Sequence, residues 1–182
     1  MGIHIVITGA PASGKTVFFE RLKSEPFTRG FLFFDELARA ILTEDPGWRD
    51  NWAAFHHEIY RRQVERERTV GRRSFISDRG TVDAFAFHPE SLDQLGTTLE
   101  REYARYTAVI QLGSAAAIGP PYYVTDTIRN ESVDEARKIE RAITSVWNNH
   151  PGYQYIDAGV AFEVKYAAFR RVVMEHSIRV NI

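Results

Sequence analysis

The amino-acid sequence predicts an α/β fold in which helices cover both faces of a parallel five-stranded sheet. The opening run from Gly2 to Thr8 is almost continuously apolar and β-branched, the pattern of a strand that is buried on both faces. Helix-like segments separate this run from later apolar runs, and such alternation favours right-handed crossovers between parallel strands. The chain has 182 residues, of which 44% are hydrophobic, and this suits one domain, 1–182, with a substantial core.

Each element is predicted from an apolar pattern and from the residues that interrupt it. We expect strands at 2–8, 31–34, 74–78, 108–112 and 153–156. We expect helices at 17–22, 36–42, 48–70, 82–87, 92–106, 132–147 and 160–176. Ser132 and Glu135 form a capping box at the start of the sixth of these helices, and Gly71 is expected to end the third. The Gly-, Pro- and Ala-rich segment at about 113–131 is predicted to be a lid-like insertion.

Composition excludes several classes of function. The absence of cysteine excludes disulfides, thiolate metal sites and cysteine nucleophiles, and it is compatible with a reducing cytosol. With 23 basic and 24 acidic residues, the net charge of −1 provides no general attraction to nucleic acid or to anionic membranes. No apolar run approaches the roughly 20 residues of a membrane span. We therefore expect a cytoplasmic protein with a small-molecule partner, without nucleic acid or membrane, and the oligomeric state is left open.

The strongest motif is the segment from Gly9 to Thr16, which fits G-x-x-x-x-G-K-[ST] between a predicted strand and a predicted helix. Glycines let backbone N–H groups converge on phosphate oxygens, and the start of a helix adds favourable partial charge. Lys15 is expected to reach the outer phosphates, and the Thr16 hydroxyl is expected to ligate Mg²⁺. The residues predicted to bind the nucleotide are Gly9, Ala12, Ser13, Gly14, Lys15, Thr16 and Val17.

Two apolar runs end in an aspartate that would suit the Mg²⁺ site, at Asp35 and at Asp78. The first superficially resembles the acidic motif of AAA+ machines, but it lies on the strand directly after the first helix, and the chain has no room for their further helical domain. Asp78 ends the third strand, which in kinase-type P-loop folds lies next to the first, and ligands bind where parallel strands end. We assign Asp78 to the metal, together with Thr16, and Arg79 to phosphate. The alternative for Asp78 and Arg79 is an exposed ion pair at the strand end.

Taken together, these motifs resemble the small P-loop ATPase and kinase family described as AAA-domain or NadR-like. That family is related to ribosylnicotinamide kinases and more remotely to deoxynucleoside and thymidylate kinases. The resemblance rests on the Gly9–Thr16 loop, residues 36–39, Gln63, residues 78–80 with Asp83, and the segment 123–132. It implies a three-layer P-loop NTPase fold with the kinase-type strand order 2-3-1-4-5. It also implies that the nucleotide is ATP and that Mg²⁺ accompanies it.

The acceptor side is marked less strongly. Glu36 follows the second strand, where it would serve as a general base beside the acceptor hydroxyl or would stabilise the first turn of a helix. Arg129 precedes a capped helix and would act on the transferring phosphate as a lid arginine, or would form a surface ion pair. Arg39 and Gln63 are candidates for the acceptor pocket. The histidines are expected to be packing or surface residues.

The leading hypothesis is an ATP- and Mg²⁺-dependent phosphotransferase, a small-molecule kinase whose acceptor carries a hydroxyl, such as a nucleoside or nucleotide. Its predicted catalytic residues are Lys15, Glu36, Asp78, Arg79 and Arg129. The alternative is a regulatory ATPase or GTPase module that acts as a switch for a protein partner. The kinase hypothesis requires a second pocket opposite the P-loop, lined by Glu36, Arg39 and Arg79. The switch requires a mobile surface near residues 80–87.

Overall fold

Five parallel strands form a single sheet in the computed structural model, which describes residues 2–119, 123 and 132–178. The strands are β1 (His4–Thr8), β2 (Leu32–Phe34), β3 (Phe75–Asp78), β4 (Ala108–Leu112) and β5 (Tyr153–Ile156). Their order across the sheet is β2-β3-β1-β4-β5. The predicted fold class and the predicted strand order 2-3-1-4-5 are therefore confirmed.

Helices pack on both faces of this sheet. They are α1 (Lys15–Leu22), α2 (Leu37–Glu44), α3 (Trp52–Val70), α4 (Asp83–Phe87), α5 (Ser91–Gln94), α6 (Leu99–Tyr103), α7 (Val133–Trp147) and α8 (Phe162–Ile178). Short 3-10 turns lie at Pro26–Thr28, Pro46–Asp50 and Ala115–Ala117. Among the described residues, no helix has the length and apolar character that a bilayer crossing requires.

The start of α3 differs from the prediction. The helix was expected from residue 48, but Pro46–Asp50 forms a 3-10 turn and the α-helix begins at Trp52. The side chain of Asn51 caps it by accepting a hydrogen bond from the backbone N–H of Ala54 at 3.0 Å. An asparagine cap competes with continuation of the helix toward the N-terminus, and this moves the boundary.

The helix expected over 92–106 is also wrong, because the structure has two short helices there, α5 and α6. Gly96 lies between them with φ +63°, in the left-handed region that favours glycine. The hydroxyl of Thr98 then caps α6. The predicted end of α3 is confirmed, since Gly71 follows it with φ +65°, and the capping box of Ser132 and Glu135 opens α7.

Residues of β1 alternate between two cores. Ile5 and Ile7 pack with Phe18 on one face of the sheet. Val6 packs with Trp147 on the other face. All five side chains are fully buried. Burial on both faces explains why the centre of this strand, from Ile5 to Ile7, is continuously apolar.

The carboxyl ends of β1 and β3 lie side by side, with Ile7 paired opposite Asp78. The loop that follows β1 is therefore next to the residues that follow β3, at the edge where parallel α/β sheets bind ligands. The predicted lid at 113–131 lies largely outside the described residues, and so does Arg129.

Candidate active site

The loop after β1 bends through three residues with left-handed backbone. Gly9, Ala12 and Gly14 have φ values of +149°, +60° and +86°. A Cβ at Gly9 would lie 2.5 Å from the carbonyl oxygen of Leu112, so only glycine fits there. Gly14 precedes α1 without a side-chain cap, and the first N–H groups of that helix thus remain available for a ligand. Such a helix start suits phosphate oxygens.

The other residues predicted to bind the nucleotide differ in exposure. Thr16 and Val17 are exposed on the first turn of α1, whereas Ser13 is buried. The Ser13 hydroxyl has no hydrogen-bond partner within the part of the chain that the structure describes. A buried hydroxyl without a partner is costly, and a ligand in the loop would remove that cost.

Lys15 opens α1 and is half-buried in a cluster of charges. Burial lowers the pKa of its ammonium, and the neighbouring Arg79 lowers it further. Asp78, Glu36 and Asp83 act on the pKa in the opposite direction. The structure thus brings Lys15 together with three of the residues that the sequence analysis assigned to catalysis, Glu36, Asp78 and Arg79.

Asp78 ends β3 and is 5% exposed. Its Oδ1 atom has no hydrogen-bond partner among the described residues. Burial raises the pKa of this carboxyl, while the ammonium of Lys15 lowers it in part. Asp35, by contrast, is exposed and its side chain accepts a hydrogen bond from the Lys23 ammonium at 3.0 Å. An unpartnered carboxylate oxygen and the hydroxyl of Thr16 form a donor set that fits Mg²⁺.

Arg79 directly follows β3 and has a left-handed backbone, with φ +70°. Its Nε donates to Oε1 of Glu36 at 2.9 Å, and its Nη1 donates to Oδ1 of Asp83 at 3.2 Å. Burial by itself raises the pKa of Glu36, but the charges of Arg79 and Lys15 outweigh burial, so that the net pKa is lowered. Glu36 is therefore an ionised carboxylate held in place by a guanidinium.

Asp83 belongs to the same cluster of charges as Arg79 and is held in place by several hydrogen bonds. Its carboxylate accepts hydrogen bonds from the hydroxyl of Thr8, from the backbone N–H of Gly80 at 2.9 Å and from the indole Nε1 of Trp147 at 3.3 Å. The side chain is 3% exposed. The sequence analysis did not single out Thr8 or Trp147, because no local pattern connects either residue with the strand end at 78.

A cavity of about 250 Å³ opens opposite the P-loop. Glu36, Asp78 and Arg79 line one side of it. The remaining lining is largely apolar and aromatic and includes Trp52, Phe55, His56 and Phe87. Of the three residues that the kinase hypothesis places around its second pocket, Glu36 and Arg79 line this cavity and Arg39 does not.

His56 is the residue of this cavity that the sequence analysis missed. Its ring is stacked on Phe87, with the centroids 5.0 Å apart and the planes at 19°. Its Nδ1 donates to the carbonyl of Trp52 at 2.7 Å, and burial above all lowers the pKa of the imidazole to about 4. The ring is thus neutral, and Nε2 carries the lone pair. The available signal was spacing: Trp52, Phe55 and His56 share one face of α3.

The structure places Gln63 and Arg39, the two other candidates for the acceptor pocket, in different surroundings. Gln63 lines the cavity, but its Nε2 donates to Glu67 at 2.6 Å and to Ser77 at 3.1 Å, so its amide is already engaged. Arg39 is exposed on α2 and does not line the cavity, which corrects the expectation. Its neighbour Ala38 faces inward instead, about 100° away around the helix.

A second cavity, of about 630 Å³, lies on the other side of the P-loop. Ser13 and Gly14 line it together with residues 158–161 between β5 and α8, and with Phe162 and Lys165 of α8. The P-loop therefore separates two concave sites, of which one contains the carboxylate cluster and the other does not.

Comparison with protein families matches residues 4–163 to a family described as an AAA domain. The match covers most of the chain. No curated protein sequence matches it.

Among solved structures, the fold is similar to deoxyadenosine kinase from M. mycoides. The structure of that enzyme with the products dCMP and a flexible dCDP bound has a TM-score of 0.64 at 10% identity, covering 95% of this chain and 99% of the kinase. The structure with bound dATP has a TM-score of 0.62 at 11% identity, covering 94% and 99%. At this identity the similarity establishes the fold.

Proposed function

The chain belongs to the AAA domain family, whose match spans residues 4–163, and on this premise we propose that it is an ATP- and Mg²⁺-dependent phosphotransferase. It transfers the γ-phosphoryl group to a hydroxyl of a small molecule, a nucleoside or a nucleotide. The observation that carries the proposal is the cavity of about 250 Å³ opposite the P-loop, with Glu36 and Asp78 on its wall. A kinase needs two pockets that meet at the phosphoryl group, and a cavity next to the loop from Gly9 to Thr16 supports this arrangement.

On the nucleotide side, the loop from Gly9 to Thr16 binds the phosphates through backbone N–H groups. Lys15 offsets the negative charge that develops on the transferring group. The Thr16 hydroxyl and the Asp78 carboxylate would hold Mg²⁺, which would supply positive charge against the negative charge of the phosphates. The unpartnered Oδ1 of Asp78 supports this role.

On the acceptor side, Glu36 accepts the proton of the acceptor hydroxyl. The acceptor oxygen forms a bond to the γ-phosphorus while the bond between that phosphorus and the ADP oxygen breaks. Arg79 donates to Oε1 of Glu36 at 2.9 Å and keeps the carboxylate oriented. The predicted lid arginine, Arg129, would complete the set of cations around the phosphoryl group.

The cavity favours an acceptor with a planar ring. His56 and Phe87 form a stacked pair on its wall, and aromatic side chains bind flat rings through their faces. Because Nδ1 of His56 donates to the carbonyl of Trp52, its Nε2 accepts a hydrogen bond from an amino or amide N–H of the ligand. A nucleobase with such a group fits, and the fold similarity to deoxyadenosine kinase supports a nucleoside.

The switch hypothesis is less well supported. It requires an exposed, mobile surface near residues 80–87, whereas Val82, Asp83, Ala84 and Phe85 are all buried. Asp83 is further tied to β1 and α7 through Thr8 and Trp147. A segment with this many buried contacts has little freedom to respond to the γ-phosphate.

The proposal is tested by a screen for acceptors. Nucleosides and nucleoside monophosphates are added to the protein with a non-hydrolysable ATP analogue, and a bound acceptor raises the melting temperature. Hits are then incubated with ATP and Mg²⁺, and the phosphorylated product is identified by mass spectrometry. Lys15→Ala serves as the control without transfer. If ATP is hydrolysed at a rate that no acceptor raises, the kinase proposal fails in favour of the switch.

A further inference from the structure

Lys165 on α8 lies beneath the P-loop and is 5% exposed. Its ammonium donates to the carbonyl oxygen of Ser13 at 2.8 Å and to that of Gly113 at 2.6 Å. Three separate parts of the chain meet at this atom: the P-loop, the residue that follows β4, and the last helix. In the part of the chain that the structure describes, the ammonium has these two carbonyl partners and no carboxylate in ion-pair contact.

A buried ammonium without a paired carboxylate is costly. The net pKa of Lys165 is lowered to about 8, because burial above all, together with the charge of Lys15, outweighs the attraction of Glu140 on α7 and Asp157 after β5. The two hydrogen bonds to carbonyl oxygens leave the positive charge of the ammonium without a paired negative charge. The cost is offset when an anion binds nearby, and the neighbouring loop is the one that binds phosphate.

The hydrogen bond from the Lys165 ammonium to the carbonyl of Ser13 also orients the loop. In a trans peptide the C=O and the following N–H point in opposite directions. Because Lys165 binds the carbonyl of Ser13 from below, the N–H of Gly14 points to the other side of the peptide plane. This N–H makes no backbone hydrogen bond among the described loop residues, and the positive charge behind the carbonyl polarises it further as a donor.

We propose that Lys165 is a positioning residue for the polyphosphate: it fixes the Ser13–Gly14 peptide with its N–H toward the phosphates and supplies positive charge behind the loop. This rests on the nucleotide-binding half of the proposed function and is independent of the acceptor. A purely structural tie between α8 and the loop would use the same hydrogen bonds. The two roles differ in their effect on phosphate affinity and on its pH dependence.

The first test measures binding of ATP and of inorganic tripolyphosphate by calorimetry to wild type, Lys165→Met and Lys23→Met. Lys23 directly follows α1, at the opposite end of that helix from the loop, and pairs with Glu20 and Asp35. Lys23→Met therefore serves as the control that removes one ammonium elsewhere on the chain. We expect Lys165→Met to weaken both ligands by about 10-fold or more, as for a hydrogen bond to a charged group, and Lys23→Met to change neither. Unchanged affinity for both ligands, with only a lower melting temperature, overturns the proposal in favour of a structural tie.

The second test compares wild type with a variant that keeps a positive charge at position 165. In wild type, affinity for tripolyphosphate is expected to fall as pH rises through about 8, because Lys165 then loses its charge. The ligand itself gains negative charge with pH, which acts in the opposite direction. In Lys165→Arg, which stays charged, this transition is expected to vanish while affinity near pH 7 is retained.

The proposal is overturned if Lys165→Arg leaves the wild-type pH profile unchanged. The outcome is distinguishable from failure of the proposed function. If the wild-type chain binds neither ATP nor tripolyphosphate, the nucleotide site itself is wrong and the role of Lys165 falls with it. If both bind and Lys165 has no effect, only the role of Lys165 is wrong.

Discussion

The phosphate side of the proposed site consists of backbone groups, whereas the acceptor side consists of side chains. On the phosphate side, the contacts come from consecutive backbone groups between Gly9 and Thr16, supported from below by Lys165. On the acceptor side, the wall consists of side chains such as Glu36 and His56 from elements far apart in the chain. A backbone cradle depends on a few permissive φ angles and leaves little to vary, whereas a wall of side chains can change one residue at a time. The comparison indicates that specificity for the acceptor is set on the second side.

The charges of the two sides differ as well. Lys15 and Lys165 are cations on the phosphate side, and burial lowers the pKa of both. On the acceptor side, Arg79 is paired with Glu36 at 2.9 Å and with Asp83 at 3.2 Å. In the proposed function, a bound polyphosphate would offset the positive charge of the first side, whereas the charges of the second side are paired within the protein. Substitutions on the two sides should therefore have separable kinetic effects.

The largest expected effect tests this separation directly. Glu36→Gln removes the proposed proton acceptor but retains the shape of the side chain. We expect transfer to the acceptor to fall by ~10²–10⁴-fold, as for loss of general-base catalysis, with ATP affinity nearly unchanged. Single-turnover transfer and calorimetry measure the two quantities. Full transfer activity in Glu36→Gln would remove the base from the mechanism.

The next largest effect is expected for Asp78, the carboxylate that we propose holds Mg²⁺. Asp78→Asn is expected to reduce Mg²⁺-dependent turnover by ~10²–10³-fold, because charge stabilisation at the phosphoryl group is lost. Asp35→Asn is the matched control, since Asp35 is exposed and pairs with Lys23 at 3.0 Å. Magnesium titrations of steady-state turnover compare the two. The opposite order of effects would show that Asp35, not Asp78, serves the metal.

A smaller effect tests the recognition of the acceptor ring. His56→Phe keeps the stacking on Phe87 but removes the Nε2 lone pair. For an acceptor with a ring amino group, such as adenosine, we expect KM to rise by up to about 10-fold and kcat to change little, since one neutral hydrogen bond is lost. For purine riboside, which lacks that amino group, KM should not change. Equal losses for both acceptors would indicate a packing role only.

The smallest effect is on stability as a function of pH. The pKa of His56 lies at about 4 in the folded protein against 6.5 for an unperturbed histidine. The unfolded chain therefore binds the proton first, and the free energy of unfolding falls as pH drops from 6.5 toward 4. His56 contributes at most ~1.4 kcal/mol per pH unit to this slope. Urea unfolding of wild type and His56→Phe over this range should show a shallower slope in the variant, and equal slopes would contradict a buried neutral imidazole.

Much of the fold follows from local patterns. Burial on both faces makes the centre of β1 continuously apolar, and the capping box of Ser132 and Glu135 marks the start of α7. The errors lie at boundaries such as those set by Asn51 and Gly96, where a single residue ends one hydrogen-bonding pattern and starts another. Turn chemistry competes with helix periodicity at these points, and periodicity alone does not decide between them.

The sequence by itself determined the shape of the loop after β1, because every group that forms it lies within Gly9 to Thr16 and the loop needs only permissive backbone at a helix start. Only the tertiary structure decided the rest of the site. In the folded chain the Gln63 amide donates a hydrogen bond to Glu67, Arg39 is exposed, and His56 stacks on Phe87 in the cavity wall. The packing of α8 also places the Lys165 ammonium next to the carbonyl of Ser13, 152 residues away along the chain. Contacts across such separations depend on how helices pack on the sheet, and local sequence patterns carry no information about that packing.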